Sequence, residues 1–347
     1  MLMRFPEAIS KTLEVAMEQD SSVFLYGCDV GDHTASFGST LGLRDKFGKD
    51  RVFSTPISEE SMLGVGIGAA MNGMRPVNIH IRADFLLLAM NQLINMAATI
   101  EDISSGLMHV PLTVRAIVGR GWGQGAQHSK SIHSLLSHFP GLEVFVPTGP
   151  QSAHDLLLHS IYSDQPSIIF EHRWLYDISA EVQLQDRPKP LEDIQWHQLH
   201  HGDDLTIVAC GWMAIEALHA AKALAGQGVQ CDVFALHDLK PNNDLSVIES
   251  IHKTGRAIVA DYDWAHCGMG ESLAYRLTNQ CFSVLKRPIS VLGFKDQHVP
   301  TARHLEKDFY PNSQDILIEA AHVLGRPSLA KIDHQPMTYE DRFKGPF

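Results

Sequence analysis

No apolar run in these 347 residues approaches the roughly 20 needed to cross a bilayer as a helix, and no membrane partner is expected. Positive charge is scarce. Lysine and arginine number 28 against 40 acidic residues, a formal net charge of −12, which argues against a non-specific nucleic-acid binder needing a basic face to displace counterions. The cysteines (Cys28, Cys210, Cys231, Cys267 and Cys281) are odd in number and never at CxxC spacing. Neither a disulfide framework nor a zinc ribbon is expected, and the thiols suit a reducing compartment. The start, Met1 to Glu7, lacks the charged-then-apolar order of a signal peptide, so a cytoplasmic location is expected. Histidine is abundant, with 20 residues, but HExxH is absent. His128, His133 and His138 recur every five positions, a rotation of about 140° per step on a helix that scatters them around the cylinder. No metal ligand set is expected on that pattern.

What is present is a soluble α/β composition, 44% hydrophobic and 20% charged, in a chain long enough for two ordinary cores. Phe5, Ala8, Ile9, Thr12, Leu13 and Ala16 form a stripe at helical spacing, followed by the short run Val23 to Tyr26 closed by Gly27. Strands are expected at Val77 to Ile81, Leu112 to Val118, Glu143 to Val146 and Ser167 to Phe170. A long apolar helix is expected from Phe85 to Ala98, and another closing over Leu156 to Ser163. Between Asp177 and about Gly202 the pattern gives way to charged, proline-containing sequence. Alternation resumes with strands at Leu205 to Cys210, Val229 to Leu236, Ala257 to Ala260 and Ile289 to Leu292. Helices at Met213 to Ala225, Asp244 to His252 and Glu271 to Thr278 lie between them. Short β-branched runs between helices are the pattern of buried parallel strands with right-handed crossovers.

Gly64-x-Gly66-x-Gly68 invites a dinucleotide reading, but its third glycine falls one position early for GxGxxG. Ser58-Glu59-Glu60 before it reads as a helix start, with Ser58 as N-cap and two carboxylates in the first turn. The expectation is a helix with one Gly/Ala face that lets another helix approach closely.

Four blocks in order carry a more specific signal: Thr55 to Pro76 (TPISEESMLGVGIGAAMNGMRP), Asn91 to Asn95, Ala126 to Ser129 (AQHS) and Phe139 to Pro147 (FPGLEVFVP). With their spacing, they make the chain resemble, up to about residue 325, the beta subunit of the thiamine-diphosphate-dependent first component of 2-oxo acid dehydrogenases. This is the pyruvate dehydrogenase type, within the transketolase-like superfamily. The resemblance implies a pyrimidine-binding domain over 1–185, a linker at 186–200, a transketolase C-terminal-like α/β domain over 201–325 and a polar tail at 326–347.

It also implies site residues. Glu59 matches the glutamate that hydrogen-bonds the cofactor's aminopyrimidine ring, a carboxylate able to share a proton there; read alone, it is a favourable first-turn charge. Phe85 matches an aromatic that stacks on that ring, though a phenylalanine opening an apolar helix also reads as core. His128 matches an active-site histidine that orients or protonates covalent intermediates, or else a helix-start residue bonded to backbone. The glycines at 119, 121, 123 and 125 suit a loop before it. Arg82 and Arg120 depart from the family pattern. They are placed to receive a carboxylate, phosphate or sugar hydroxyl of substrate, or to pair with a partner subunit.

The family's diphosphate half, Gly-Asp-Gly followed by Asn, holds Mg²⁺ through oxygen ligands. It has no counterpart here beyond His201-Gly202-Asp203-Asp204. The resemblance therefore implies an alpha-type partner subunit holding the diphosphate and Mg²⁺, a beta–beta dimer within an alpha2–beta2 heterotetramer, and docking to a lipoyl acyltransferase. The implied activity is oxidative decarboxylation of a 2-oxo acid such as pyruvate, with acyl transfer to a lipoyl group. The alternative is a split transketolase-like enzyme moving a ketol or acyl unit to a sugar or small acceptor.

Overall fold

The computed structural model describes residues 1–120, 123–306 and 308–332. They fall into two compact units. The first is Met1–Arg120 with Leu135–Ile194; the second holds the described residues of Gly121–Ser134 and Gln195–Phe347.

The first unit opens with β1 (Leu2–Arg4) and the helix Phe5–Gln19. Pro6 near the helix start has no amide hydrogen to leave unpaired, and Glu7 accepts from the Arg4 amide at 2.8 Å. The expected stripe is the buried face: Phe5, Ala8, Ile9, Thr12, Leu13 and Ala16 are all inside. It packs on the helix Pro150–Tyr162, where Thr12 Oγ1 meets His154 Nδ1 at 2.7 Å. Six strands form the sheet: β2 (Val23–Gly27), β3 (Val52–Ser54), β4 (Arg75–His80), β5 (Thr113–Val118), β6 (Glu143–Phe145) and β7 (Ser167–His172). Their order is β3-β2-β4-β5-β7-β6, with every pairing parallel. β8 (Ser179–Glu181) returns antiparallel to β1.

The long helix expected from Phe85 to Ala98 is broken. An α-turn spans Ala83–Leu86, a 3-10 turn Leu87–Ala89 and a π-helix Gln92–Ala97; the axis bends by 61° between Ala83–Ala89 and Gln92–Ile103. The Ala98 amide donates to the Leu93 carbonyl, five residues back, at 2.9 Å, the widened turn that absorbs an extra residue and bends a helix. Leu86-Leu87-Leu88-Ala89-Met90 is apolar all round and so carries no phase from which the break could be read.

The second unit holds β9 (Trp196–His200), β10 (Leu205–Cys210), β11 (Cys231–Leu236), β12 (Ala257–Trp264) and β13 (Ser290–Phe294), in the order β13-β12-β10-β11-β9. All pairings are parallel except β9 against β11. The stretch expected to be linker therefore ends in an edge strand. Trp-His-Gln-Leu-His is half-exposed and polar, as edge strands are, which hid it among the linker's polar residues. Helices Met213–Ala225, Leu245–Thr254, Met269–Cys281 and Ser313–Leu324 flank the sheet. At the start of the expected tail, Pro327–Lys331 forms a 3-10 turn with Leu329 buried; residues 333–347 lie outside the described ones.

Candidate active site

The strand order of the first sheet dictates where a ligand can sit. From β2 the chain passes to β3 on one side, then crosses to β4 on the other. Ligands of open parallel sheets bind outside the strands' carboxyl ends at such a switch point. A cavity of about 270 Å³ lies there, lined by Gly27 and Cys28 after β2, Thr55 to Glu59 after β3, and Asn78 to Ile81 with Phe85 at the end of β4. Gly27 has φ +150°, and a Cβ on it would stand 2.3 Å from the Ile79 carbonyl oxygen, so only glycine lets β2 end this close to β4.

Glu59 opens the 13-residue helix Glu59–Met71. Ser58 occupies the N-cap position, but its side chain makes no capping bond. The positive end of the helix dipole thus faces the two acidic residues of its first turn. The three glycines of this helix do different things. A Cβ on Gly66 would lie 1.9 Å from the Tyr26 hydroxyl, one on Gly64 would touch Gln92, and one on Gly68 would meet nothing within 4 Å. The close approach expected of another helix is made at Gly64 by the Gln92–Ala97 turn; at Gly66 it is a strand residue that comes nearest.

Polar groups around the cavity are left without partners. His80 is fully buried, and burial alone pulls its pKa down to about 4, so the imidazole is neutral; its Nε2 has no hydrogen-bond partner. Asn78 Oδ1 is likewise buried and unpaired. Burial raises the Cys28 thiol pKa, with Asp29, Asp32 and Glu59 adding negative charge. Unsatisfied buried donors and acceptors cost stability, and their concentration in one cavity marks a place built for a ligand. His80 and Asn78 escaped the sequence reading. Their signal was two polar side chains at alternate positions in an otherwise apolar strand.

Glu59 and Phe85 both line this cavity. Arg82 does not. It is 7% exposed, its guanidinium carbon lies 5.2 Å from the Phe37 ring centroid, and Arg173 lies 4.8 Å from the same ring. Burial and then the Arg173 charge lower the Arg82 pKa. Arg120, also outside the cavity lining, stacks on Trp174 with its guanidinium carbon 3.5 Å from the ring centroid. His172 beside them is held well below its ordinary pKa by burial and by the charges of Arg120 and Arg173. His128 belongs to the segment that groups with the second unit, where it is exposed and ends the 3-10 turn Gly125–Gln127.

That segment is fastened within its own unit by a buried histidine. His133 Nε2 lies 2.9 Å from Asp261 Oδ1 and 3.7 Å from Asp263 Oδ2, and its Nδ1 meets Ser131 Oγ at 2.8 Å. Burial alone would lower its pKa, but the two aspartates outweigh burial and carry it up to about 9. The Ser134 amide donates to Asp263 at 3.1 Å, and the Met269 amide to Ser134 Oγ at 2.9 Å.

The two α/β units, the first with a partly unsatisfied cavity at its switch point, are a transketolase-type protein by the two family matches that cover them. Residues 3–178 match the family described as transketolase, pyrimidine binding domain, and residues 195–316 that described as transketolase, C-terminal domain. Among solved structures, a split-gene transketolase, an inactive beta4 tetramer, has the same fold at TM-score 0.69, 22% identity and coverage of 94% of this chain and 98% of that one. The pyruvate dehydrogenase E1 component subunit beta of Rickettsia felis is 32% identical over 314 residues, 90% of this chain and 95% of the relative. The 2-oxoisovalerate dehydrogenase subunit beta of Bacillus subtilis is 34% identical over 91% of this chain and 96% of the relative. Its acetoin:2,6-dichlorophenolindophenol oxidoreductase subunit beta is 32% identical over 93% and 97%. The chain belongs to this family of dehydrogenase first-component beta subunits.

Proposed function

We propose that this chain is the beta subunit of a thiamine-diphosphate-dependent 2-oxo acid dehydrogenase. It acts with an alpha-type subunit to decarboxylate a 2-oxo acid, pyruvate foremost, and pass the acyl group to a lipoyl carrier. The observation that carries this reading is the joint placement of Glu59 and Phe85 on one cavity at the β2/β4 switch point. A carboxylate, an aromatic ring and walls such as Ile57, Met62 and Ile79 fit an aminopyrimidine, which asks for one proton-sharing acid within an apolar slot. The unpaired Nε2 of His80 adds a polar contact to the same slot.

The diphosphate half does not fit this chain. The nearest string, around Gly202, is structural: a Cβ there would stand 2.4 Å from Gln230 backbone, Asp204 accepts from the Gln230 amide at 2.8 Å, and Asp203 pairs with Lys253 at 3.2 Å. Mg²⁺ and the diphosphate are therefore assigned to the alpha-type subunit.

When bound, the cofactor supplies the nucleophilic carbon and electron sink that decarboxylation requires. This chain's residues prepare for it. Glu59 would hold and share the proton at the pyrimidine nitrogen, and Phe85 would fix the ring plane. His128 moves a proton at the substrate end in later steps. Arg82, Arg120 and Arg173 pack on Phe37 and Trp174 outside this cavity and are given no part in it.

Calorimetry tests the division of labour. The isolated chain should bind thiamine diphosphate weakly with or without Mg²⁺, and tightly once the alpha-type subunit is added. Tight, Mg²⁺-dependent binding by the isolated chain would contradict it.

A further inference from the structure

His128, His133 and His138, five residues apart, share no helix face. The fold assembles donors differently, from three segments far apart in the chain. His133 opens the short helix His133–Ser137, Cys210 ends β10 and Asp261 lies in β12. One ligand atom from each lies within 4.8 Å of the other two, and all three residues are buried. We propose that His133, Cys210 and Asp261 bind a divalent transition-metal ion, Zn²⁺ by donor chemistry, which ties the loop carrying His128 to the sheet of the second unit.

The donor set is the first argument. Imidazole nitrogen, thiolate and a carboxylate oxygen together suit zinc and its neighbours and not magnesium or calcium. The second is geometry. A tetrahedral ion at about 2.0–2.3 Å from each donor asks for donors roughly 3.3–3.8 Å apart. That requires His133 Nε2 and Asp261 Oδ1 to part slightly from 2.9 Å, with the Cys210 sulfur already within 4.8 Å of its partners. The third is the outer shell. Ser131 Oγ sits 2.8 Å from His133 Nδ1, so the ring nitrogen facing away from the ion is already anchored and Nε2 is the one presented, as second shells do at metal-bound histidines.

One further observation points to a cation: Asp261 Oδ2 is buried and receives no hydrogen bond from a nitrogen or oxygen donor, and the Cys210 thiol lies against the same carboxylate.

The test uses the full chain, stripped with a chelator and dialysed against Zn²⁺ or Co²⁺ alone. One equivalent of metal per chain is expected by elemental analysis. The Co²⁺ form should show the intense visible bands of a tetrahedral site and a thiolate-to-metal charge-transfer band. Cys210→Ser should abolish the charge-transfer band, and Ser131→Ala should weaken binding by about 10–100-fold through the outer shell. Because Ser131→Ala leaves all three donors in place, it keeps the test open should the donor variant fail to fold. Failure of the wild-type chain to take up either ion overturns the proposal. So does uptake whose spectrum and affinity are unchanged in Cys210→Ser, which places the ion at other histidines.

Discussion

His80 in the first unit and His133 in the second are both buried, yet their surroundings treat them in opposite ways. Around His80 there is burial and no counter-charge, so the ring is neutral, with a pKa of about 4 and a nitrogen left unpaired. Around His133 two carboxylates more than offset the same burial and carry the pKa to about 9. The first environment is incomplete within this chain and faces a cavity; the second is cross-linked from three segments. A buried polar group therefore reports function or fastening according to whether its partners are in the chain.

The largest effect expected from breaking this contrast is at His133. Replacing it with alanine leaves Asp261 and Asp263 buried side by side without a cation, and removing one partner of a buried ion pair costs about 3–5 kcal/mol. Denaturant unfolding of the metal-free chain should show that loss; a loss below about 1 kcal/mol, the level of an exposed pair, would mean the cluster is hydrated and holds nothing. Next in size is a pair on the Glu59–Met71 helix. Gly66→Ala drives a methyl into the Tyr26 hydroxyl and should cost about 1–3 kcal/mol by overpacking. Gly68→Ala, with open space around it, should leave the isolated chain equal in stability or up to about 1 kcal/mol more stable. Equal costs at both positions would mean that helix propensity, not the strand beneath, sets the glycine requirement.

His80 gives a pH-dependent prediction of known sign. Its folded pKa lies below the ordinary 6.5, so between about 4 and 6.5 the unfolded chain takes up the proton more readily. Its contribution is present above 6.5 and is lost as pH falls through that window. Urea titrations across it should show stability declining with acidity, and His80→Leu should flatten the slope. An unchanged slope would mean that the ring finds a partner or water that tolerates its charge.

The sequence carried much of this, unevenly. β10 and the Met213–Ala225 helix match their expected limits because β-branched alternation and a clean 3.6 period leave one reading. The bend between Ala83 and Ile103 was invisible because apolar residues there surround the axis. β9 was hidden by its polarity at a sheet edge. Glu59, Phe85 and His128 were legible only through motif resemblance, since each has an ordinary structural role available. The cavity itself follows from strand order, which no local pattern encodes, and the His133–Cys210–Asp261 cluster unites positions separated by more than half of one unit.

The division of labour between Glu59 and His128 is the centre of the account, and hydrogen–deuterium exchange at the cofactor's reactive thiazolium carbon tests it most directly. With the alpha-type subunit and cofactor present, Glu59→Gln keeps shape and hydrogen bonding but cannot share a proton, and exchange should slow by about 10²–10⁴-fold, the range for one positioned acid or base. His128→Ala should leave exchange near the wild-type rate while product formation falls. Exchange abolished in His128→Ala and unchanged in Glu59→Gln would contradict the assignment.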